Sequence, residues 1–361
     1  MPEFSNIYFK NGHISRENKI VGVRTVEQKR GKQSILFSFP PTILAYASVV
    51  GKKEGQGRLR EYFDIVNEDT KFGEKSWEKA ESRMQQLAIQ TLLGKAEKQE
   101  KEVGVLFSGD LLNQCIGSTF AVRNTGIPTL GLYGACSTMA ESLLLASAAV
   151  SAEYTENAVA MTSSHFASSE RQYRFPLGYG GVRPPTAQWT VTGCGAVLLG
   201  RKENGIRISS ATVGCVIDKG IRDANNMGAA MAPAAVHTLR AHFDDLNRTP
   251  EDYDLIVTGD LGVLGKDIVR ELFAKDGVTL KNYDDCGAMI YDCKRQDTHC
   301  GGSGCGCSAS VLCGYLLRQM EAKKLHRLLF CGTGALLSPC SSQQGESIPS
   351  VCHAVVLESE E

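Results

Sequence analysis

A cysteine with the makings of a nucleophile stands in the stretch Tyr133-Gly134-Ala135-Cys136-Ser137-Thr138, between an apolar run at 127–132 and an apolar helical stretch from Leu143. The run reads as a buried strand, so Cys136 falls at a strand-to-helix turn. The unpaired N–H groups of the helix's first turn would lie beside the sulfur, and Ser137 or Thr138 could cap that helix. Such a setting favours the thiolate. The plainer alternative is a small apolar residue packed in the core, as most free cysteines are. His165 follows the apolar strand 158–162, at the end of a sheet where ligands gather in open α/β folds. Asp110 and Asp260 each close an apolar strand and open a helix; both read as turn residues that bond backbone N–H groups. Cys300, Cys305 and Cys307 are spaced C-x4-C-x-C without a partnered His or Cys pair, which is poor zinc spacing, and no metal site is expected. His299 reads as an exposed loop histidine beside Asp297 and Thr298.

These residues need elements to position them. From Trp77 to Ala96, Met84, Leu87, Ala88, Thr91 and Leu92 recur at three and four residues among charges, the pattern of an amphipathic helix. A strand at 103–109, a helical stretch at 113–123, the strand at 127–132, the Cys136 helix and the strand at 158–162 follow in alternation. That alternation predicts a parallel or mixed sheet with helices on both faces. A polar insertion at 166–189 carries Arg171, Tyr173, Arg174 and Arg183, and strands at 191–199 and 206–213 and a helix near 233–246 come next. Residues 1–75 are expected to be a segment packing on the core, with a strand at 34–39 broken by Pro40-Pro41.

The chain then repeats itself. Phe107-Ser108-Gly109-Asp110-Leu111 has a counterpart in Val257-Thr258-Gly259-Asp260-Leu261, and Gly134-Ala135-Cys136-Ser137 in Gly304-Cys305-Gly306-Cys307-Ser308. The strand at 158–161 matches 327–330, and 194–199 matches 352–357. Four matches in one order make 76–203 and 206–357 two copies of one α/β unit. A pseudo-twofold would bring Cys136 and the Cys305 loop to one central cleft.

With 361 residues, 42% hydrophobic and 22% charged, the chain can bury a large core. A net charge of −1 gives no reason to expect nucleic acid or an anionic membrane as partner. No run of about 18 apolar residues and no signal pattern is found. The 13 cysteines lie mostly in apolar segments, which suits a reducing compartment and a soluble protein of cytoplasmic type.

A duplicated α/β chain with a cysteine at a helix start in its first half resembles the thiolase and ketoacyl-synthase superfamily. Within it, Ser108-Gly109-Asp110-Leu111-Leu112-Asn113-Gln114, the stretch around Cys136, 163–176, Met231-Ala232-Pro233-Ala234-Ala235 and 300–309 resemble the stage V sporulation protein AD family. The resemblance runs from about residue 5 to the end. It implies an internally duplicated five-layer α-β-α-β-α arrangement with mixed sheets. It also implies binding of dipicolinic acid (pyridine-2,6-dicarboxylate), possibly as its calcium chelate, during uptake into the developing spore. The implied partners are other stage V sporulation membrane proteins, which would hold the chain peripherally at the spore inner membrane, and a second copy in a thiolase-type homodimer. No cofactor is implied.

Thiolases carry a catalytic His in Gly-His-Pro-x-Gly-x-Ser-Gly; here Gly302-Ser303-Gly304-Cys305 places Ser303 at that position. Serine is no base at neutral pH, so a binding protein without catalytic activity is expected. The alternative is an acyltransferase with Cys136 as nucleophile. A dicarboxylate calls for cationic forks or N–H groups and a flat apolar surface. Cys136, His165, Arg171, Tyr173, Arg174 and Ser303 are the residues expected at the ligand, with Asp110 or Asp260 touching calcium if the chelate binds.

Overall fold

The protein is described here by a computed structural model covering residues 28–173 and 182–359. Ten strands form the main path: β1 (Thr42–Gly51), β2 (Val105–Gly109), β3 (Thr129–Leu132), β4 (Asn157–Ser164), β5 (Gly193–Gly200), β6 (Arg207–Thr212), β7 (Leu255–Thr258), β8 (Tyr283–Asp285), β9 (Arg327–Ala335) and β10 (Ser350–Glu358). Their spatial order is β8-β7-β9-β10-β6-β1-β5-β4-β2-β3. From one edge, β3–β2 and β2–β4 pair parallel, then β4–β5 and β5–β1 antiparallel. From the other, β8–β7 and β7–β9 pair parallel, then β9–β10 and β10–β6 antiparallel. The two half-sheets meet through Arg207 opposite Thr42.

The helices that position the site are α1 (Trp77–Lys95), α2 (Ile116–Val122), α3 (Thr138–Ser151), α4 (Phe166–Tyr173), α5 (Met227–Leu246), α6 (Gly262–Lys275), α7 (Cys286–Ile290) and α8 (Cys305–Val311), the last continued by a π turn at Leu312–Leu316. Helices α3 and α8 lie between the half-sheets: α3 packs on β2, β4 and β5 and also on β9 and β10. Helix α1 covers the outer face of β1, β4 and β5, and α5 that of β9 and β10. The result is the layered α-β-α-β-α arrangement, with α3 and α8 as its central layer. Strands β4, β5 and β9 are buried almost throughout, which is why they read as unbroken apolar runs rather than alternating ones. Close approach of the central helices depends on missing side chains. A Cβ at Gly306 would stand 2.3 Å from the Gly193 carbonyl, and one at Gly334 would stand 2.3 Å from the Gly134 carbonyl.

Four local expectations are corrected. Residues 42–51 do not pack on the core from outside; they form β1, a central strand. The run at 127–132 is buried only at Ile127: β3 pairs with β2 on one side only, and Thr129, Leu130 and Gly131 are exposed. The stretch after His165 opens as helix α4 rather than as an inserted loop, and the early strand is short, Ser34–Leu36.

Candidate functional site

Strand β3 leads to a single 3-10 turn, Ala135–Ser137, and then to α3. Ala135 holds φ 50°, a left-handed conformation costly for a side-chain-bearing residue. The turn is braced against β9, where Gly332 and Gly334 leave room for Gly134 and Ser137. Ser137 and Thr138 do not cap α3. Their hydroxyls donate back to the carbonyls of Gly134 (2.6 Å) and Ala135 (2.7 Å), locking the turn instead.

Cys136 stands in the wall of a cleft of about 700 Å³, counted out to its mouth. Leu111, Ala135, Met227, Met231, Ala335 and Leu337 form its apolar walls. Ser169, Glu170, Tyr173, Gln188, Thr190, Asn225 and Ser303 supply its polar groups. Among the described residues no Lys, Arg or His lines it. Thr190 and Ser303 lie side by side because Trp189–Thr190 pairs parallel with Gly302–Ser303. The Tyr173 hydroxyl donates to the Leu111 carbonyl at 2.7 Å and lies 2.6 Å from the Tyr133 hydroxyl. Among the described residues, Ser169 Oγ and Gln188 Oε1 are buried without a hydrogen-bond partner.

Behind Cys136 and Ser303 lies Asp260, fully buried. Its Oδ2 accepts from Ser303 Oγ (3.2 Å) and Gly304 N–H (2.8 Å), and its Oδ1 from Thr333 Oγ (2.8 Å). The Cys136 thiol stands beside this carboxylate and feels its charge. Burial lifts the Asp260 carboxyl to about 6 against the pull of those donors. Cys136 is pushed well above an ordinary thiol, first by burial, then by the charge of Asp260 and by Cys305. The expected thiolate is therefore not what the surroundings favour: burial, with the Asp260 carboxylate behind it, outweighs the helix start.

Of the six residues expected at the ligand, Cys136, Tyr173 and Ser303 meet in the cleft. His165 does not. It is 2% exposed, donates from Nε2 to the Thr70 carbonyl (2.8 Å), accepts the Ala167 N–H at Nδ1, and packs beside Trp77 and Phe72. Burial holds its pKa down. Arg171 leaves the cleft and pairs with Glu78, while Arg174 lies outside the described residues. Asp110 is structural, accepting from the N–H groups of Leu112 (2.9 Å) and Ser118 (2.7 Å). The cysteines of the 300–307 stretch diverge: Cys300 Sγ donates to the Pro185 carbonyl and Cys305 Sγ to that of Ser163. Among the described residues no group of three or more His, Cys, Asp or Glu is placed to hold a metal. Sequence reasoning did not single out Ser169 and Glu170 within the stretch 163–176, nor Gln188, and took Asp260 as a turn residue or a calcium contact rather than as the partner of Ser303.

A cysteine at a central helix start between two matching half-sheets defines a thiolase-like protein. The solved structures agree on the fold. The 3-oxoacyl-[acyl-carrier-protein] synthase III of Aquifex aeolicus superposes with a TM-score of 0.53 at 11% identity, covering 88% of this chain and 99% of that one. Cerulenin-bound OleA of Xanthomonas campestris gives 0.59 at 13% identity, covering 90% and 100%. More specifically, the family model for stage V sporulation protein AD matches residues 31–358. Stage V sporulation protein AD of Bacillus subtilis (strain 168) is 44% identical over 329 residues, 91% of this chain and 97% of that protein. The chain belongs to the stage V sporulation protein AD family. No described helix is long and apolar enough to cross a membrane.

Proposed function

We propose that this chain binds dipicolinic acid in the Cys136 cleft and serves its uptake into the developing spore, without acyl transfer. The observation that carries the reading is the partner of Cys136. Where a condensing site needs a proton-transferring imidazole and donors for an oxyanion, this one sets the carboxylate of Asp260 and the hydroxyl of Ser303. A buried carboxylate disfavours both a thiolate and an oxyanion beside it. The cleft suits a flat, polar-edged ligand instead: apolar side chains on its walls, and Ser169 Oγ buried without a partner among the described residues, where a ligand oxygen could accept from it.

The same reading takes the chain to work as a homodimer held peripherally at the spore inner membrane by other stage V sporulation membrane proteins. Strand β3 supports the dimer, since among the described residues no strand pairs with its outer edge and Leu130 and Tyr133, on it and just after it, are 53% and 46% exposed. A second copy laid antiparallel along β3 would extend the sheet and cover them. Titration calorimetry with dipicolinate, with and without calcium, tests the ligand; intact mass after incubation with acetyl-CoA or malonyl-CoA tests the chemistry. Binding without a mass gain is expected. Acylated Cys136 with no dipicolinate binding would overturn the reading.

A further inference from the structure

We propose that occupation of the cleft by an anionic ligand is coupled to uptake of one proton by Asp260, which releases the Ser303 hydroxyl and the Cys136 thiol to donate to the ligand. This rests on the ligand reading above and adds to it a residue that acts from behind the wall. A carboxylate can only accept hydrogen bonds. Ser303 Oγ, 3.2 Å from Asp260 Oδ2, therefore directs its proton away from the cleft, and the charge of Asp260 draws the proton of the neutral Cys136 thiol the same way. Seen from the cleft, both residues present lone pairs. An arriving carboxylate meets these and the buried charge of Asp260 behind them, with no Lys or Arg among the described lining residues.

Like charges in a buried site are not held together unprotonated; the proton goes to the group easiest to neutralise. Asp260 is that group at the cleft wall, because it stands directly behind Ser303 and burial already raises its carboxyl to about 6 against the pull of its donors. Its surroundings on each side are neutral or closed off. Cys136 faces it from the turn before α3, and Ser303, Gly304 and Thr333 donate to it from the start of α8 and from β9. Cys305 and Cys307 on α8 and Cys286 on α7 feel its charge and are themselves pushed well above ordinary thiols by burial, so they stay uncharged. Asp285, pushed up to about 7 mainly by burial, is engaged by the N–H groups of Leu261, Gly262 and Ala288 and by Thr258 Oγ1. Once Asp260 is protonated, it donates one bond itself and needs fewer, and the Ser303 hydroxyl is free to turn toward the cleft. Asp260 is thus a positioning residue, acting through Ser303 and Cys136.

The sign follows directly. Below about pH 6 the proton is already present in the free protein and affinity is flat; above it, affinity falls as pH rises, approaching tenfold per pH unit. The test is calorimetry with dipicolinate at pH 7.5 in phosphate and in Tris, whose ionisation enthalpies differ, to count protons taken up. Uptake approaching one proton per ligand is expected for the parent and for Glu170→Gln, and uptake near zero with a flat pH profile for Asp260→Asn. Parent uptake near zero, or uptake abolished by Glu170→Gln, overturns the inference while leaving dipicolinate binding intact. Both of those measurements stand if Asp260→Asn fails to fold. Absence of dipicolinate binding by the parent at every pH would instead remove the ligand reading on which this depends.

Discussion

Replacing Gly334 by alanine should damage the site from the far side of the sheet. A Cβ there would lie 2.3 Å from the Gly134 carbonyl oxygen and 2.9 Å from the Ser137 nitrogen, whereas real contacts need about 3.4 Å or more. The obstacle is backbone on both counts, so the Cys136 turn must back away from β9 by about 1 Å. Overpacking of this kind costs about 1–3 kcal/mol. For 361 residues, an unfolding entropy of about 2.1 cal/mol/K per residue converts that into a fall of roughly 1–4 °C in Tm. Dipicolinate affinity should fall by about tenfold or more, because Cys136 and Ser303 no longer share Asp260 in the same geometry. Gly94→Ala is the control: it lies exposed near the end of α1, and its Cβ would meet nothing within 4 Å. Alanine there should stabilise by about 0.5–1 kcal/mol. Calorimetric melts and ligand titrations of the two variants decide the matter. A Gly334→Ala protein that melts and binds like the parent would refute the close-approach reasoning.

Iodoacetamide should label the exposed Cys215 and Cys340 well before Cys136, and Asp260→Asn should speed Cys136; peptide mass mapping that finds Cys136 labelled first at pH 7 contradicts the protonated thiol. Arg171→Ala should leave dipicolinate affinity within about twofold, since a half-exposed ion pair contributes little, whereas Tyr173→Phe, which breaks the hydroxyl links to Leu111 and Tyr133, should weaken binding about five- to tenfold; titration reversing that order would relocate the ligand. Stability should have two pH limbs. His242, buried and lowered from 6.5 to about 3, should cost stability as pH falls through that window, because the unfolded chain gains the proton first. Glu81, buried and raised from 4.5 to about 8, should cost stability as pH rises through its own window, because the unfolded chain loses the proton first. Melts of Glu81→Gln that keep the alkaline limb unchanged would exclude Glu81 as its source.

Local pattern carried the scaffold and only half of the site. The strands at 157–164 and 193–200 were legible because burial on both faces leaves nothing but apolar and small residues. Strand β1 was not claimed, although Ile43 to Val50 is equally apolar, because Pro40-Pro41 and the charged text after Gly51 frame it as surface. Tyr173 and Arg171 were grouped as neighbours in an inserted loop. On a helix, residues two apart point about 200° away from each other, so the tyrosine in the cleft sends the arginine to Glu78. His165 was lost for another reason: the partners that bury it, Thr70, Phe72 and Trp77, come from about ninety residues earlier. The state of Cys136 depends on Asp260, brought to it by the fold of the second half.

That second half shows how a duplicated turn becomes a site. Asp110 and Asp260 close equivalent strands in the same Gly-Asp-Leu sequence. In the first half the aspartate serves its own neighbourhood, accepting from Leu112 N–H and from Ser118 through both N–H and Oγ. In the second half the corresponding local N–H groups, those of Leu261 and Gly262, are taken by Asp285 at the end of β8. Asp260 is thereby relieved of the structural duty its twin performs. Its lone pairs are left for donors distant in sequence, Ser303, Gly304 and Thr333, and for the one cysteine that the first half delivers into the cleft. The asymmetry between the halves, rather than their likeness, sets a carboxylate behind Cys136, and it required an extra acid at position 285 to make that carboxylate available.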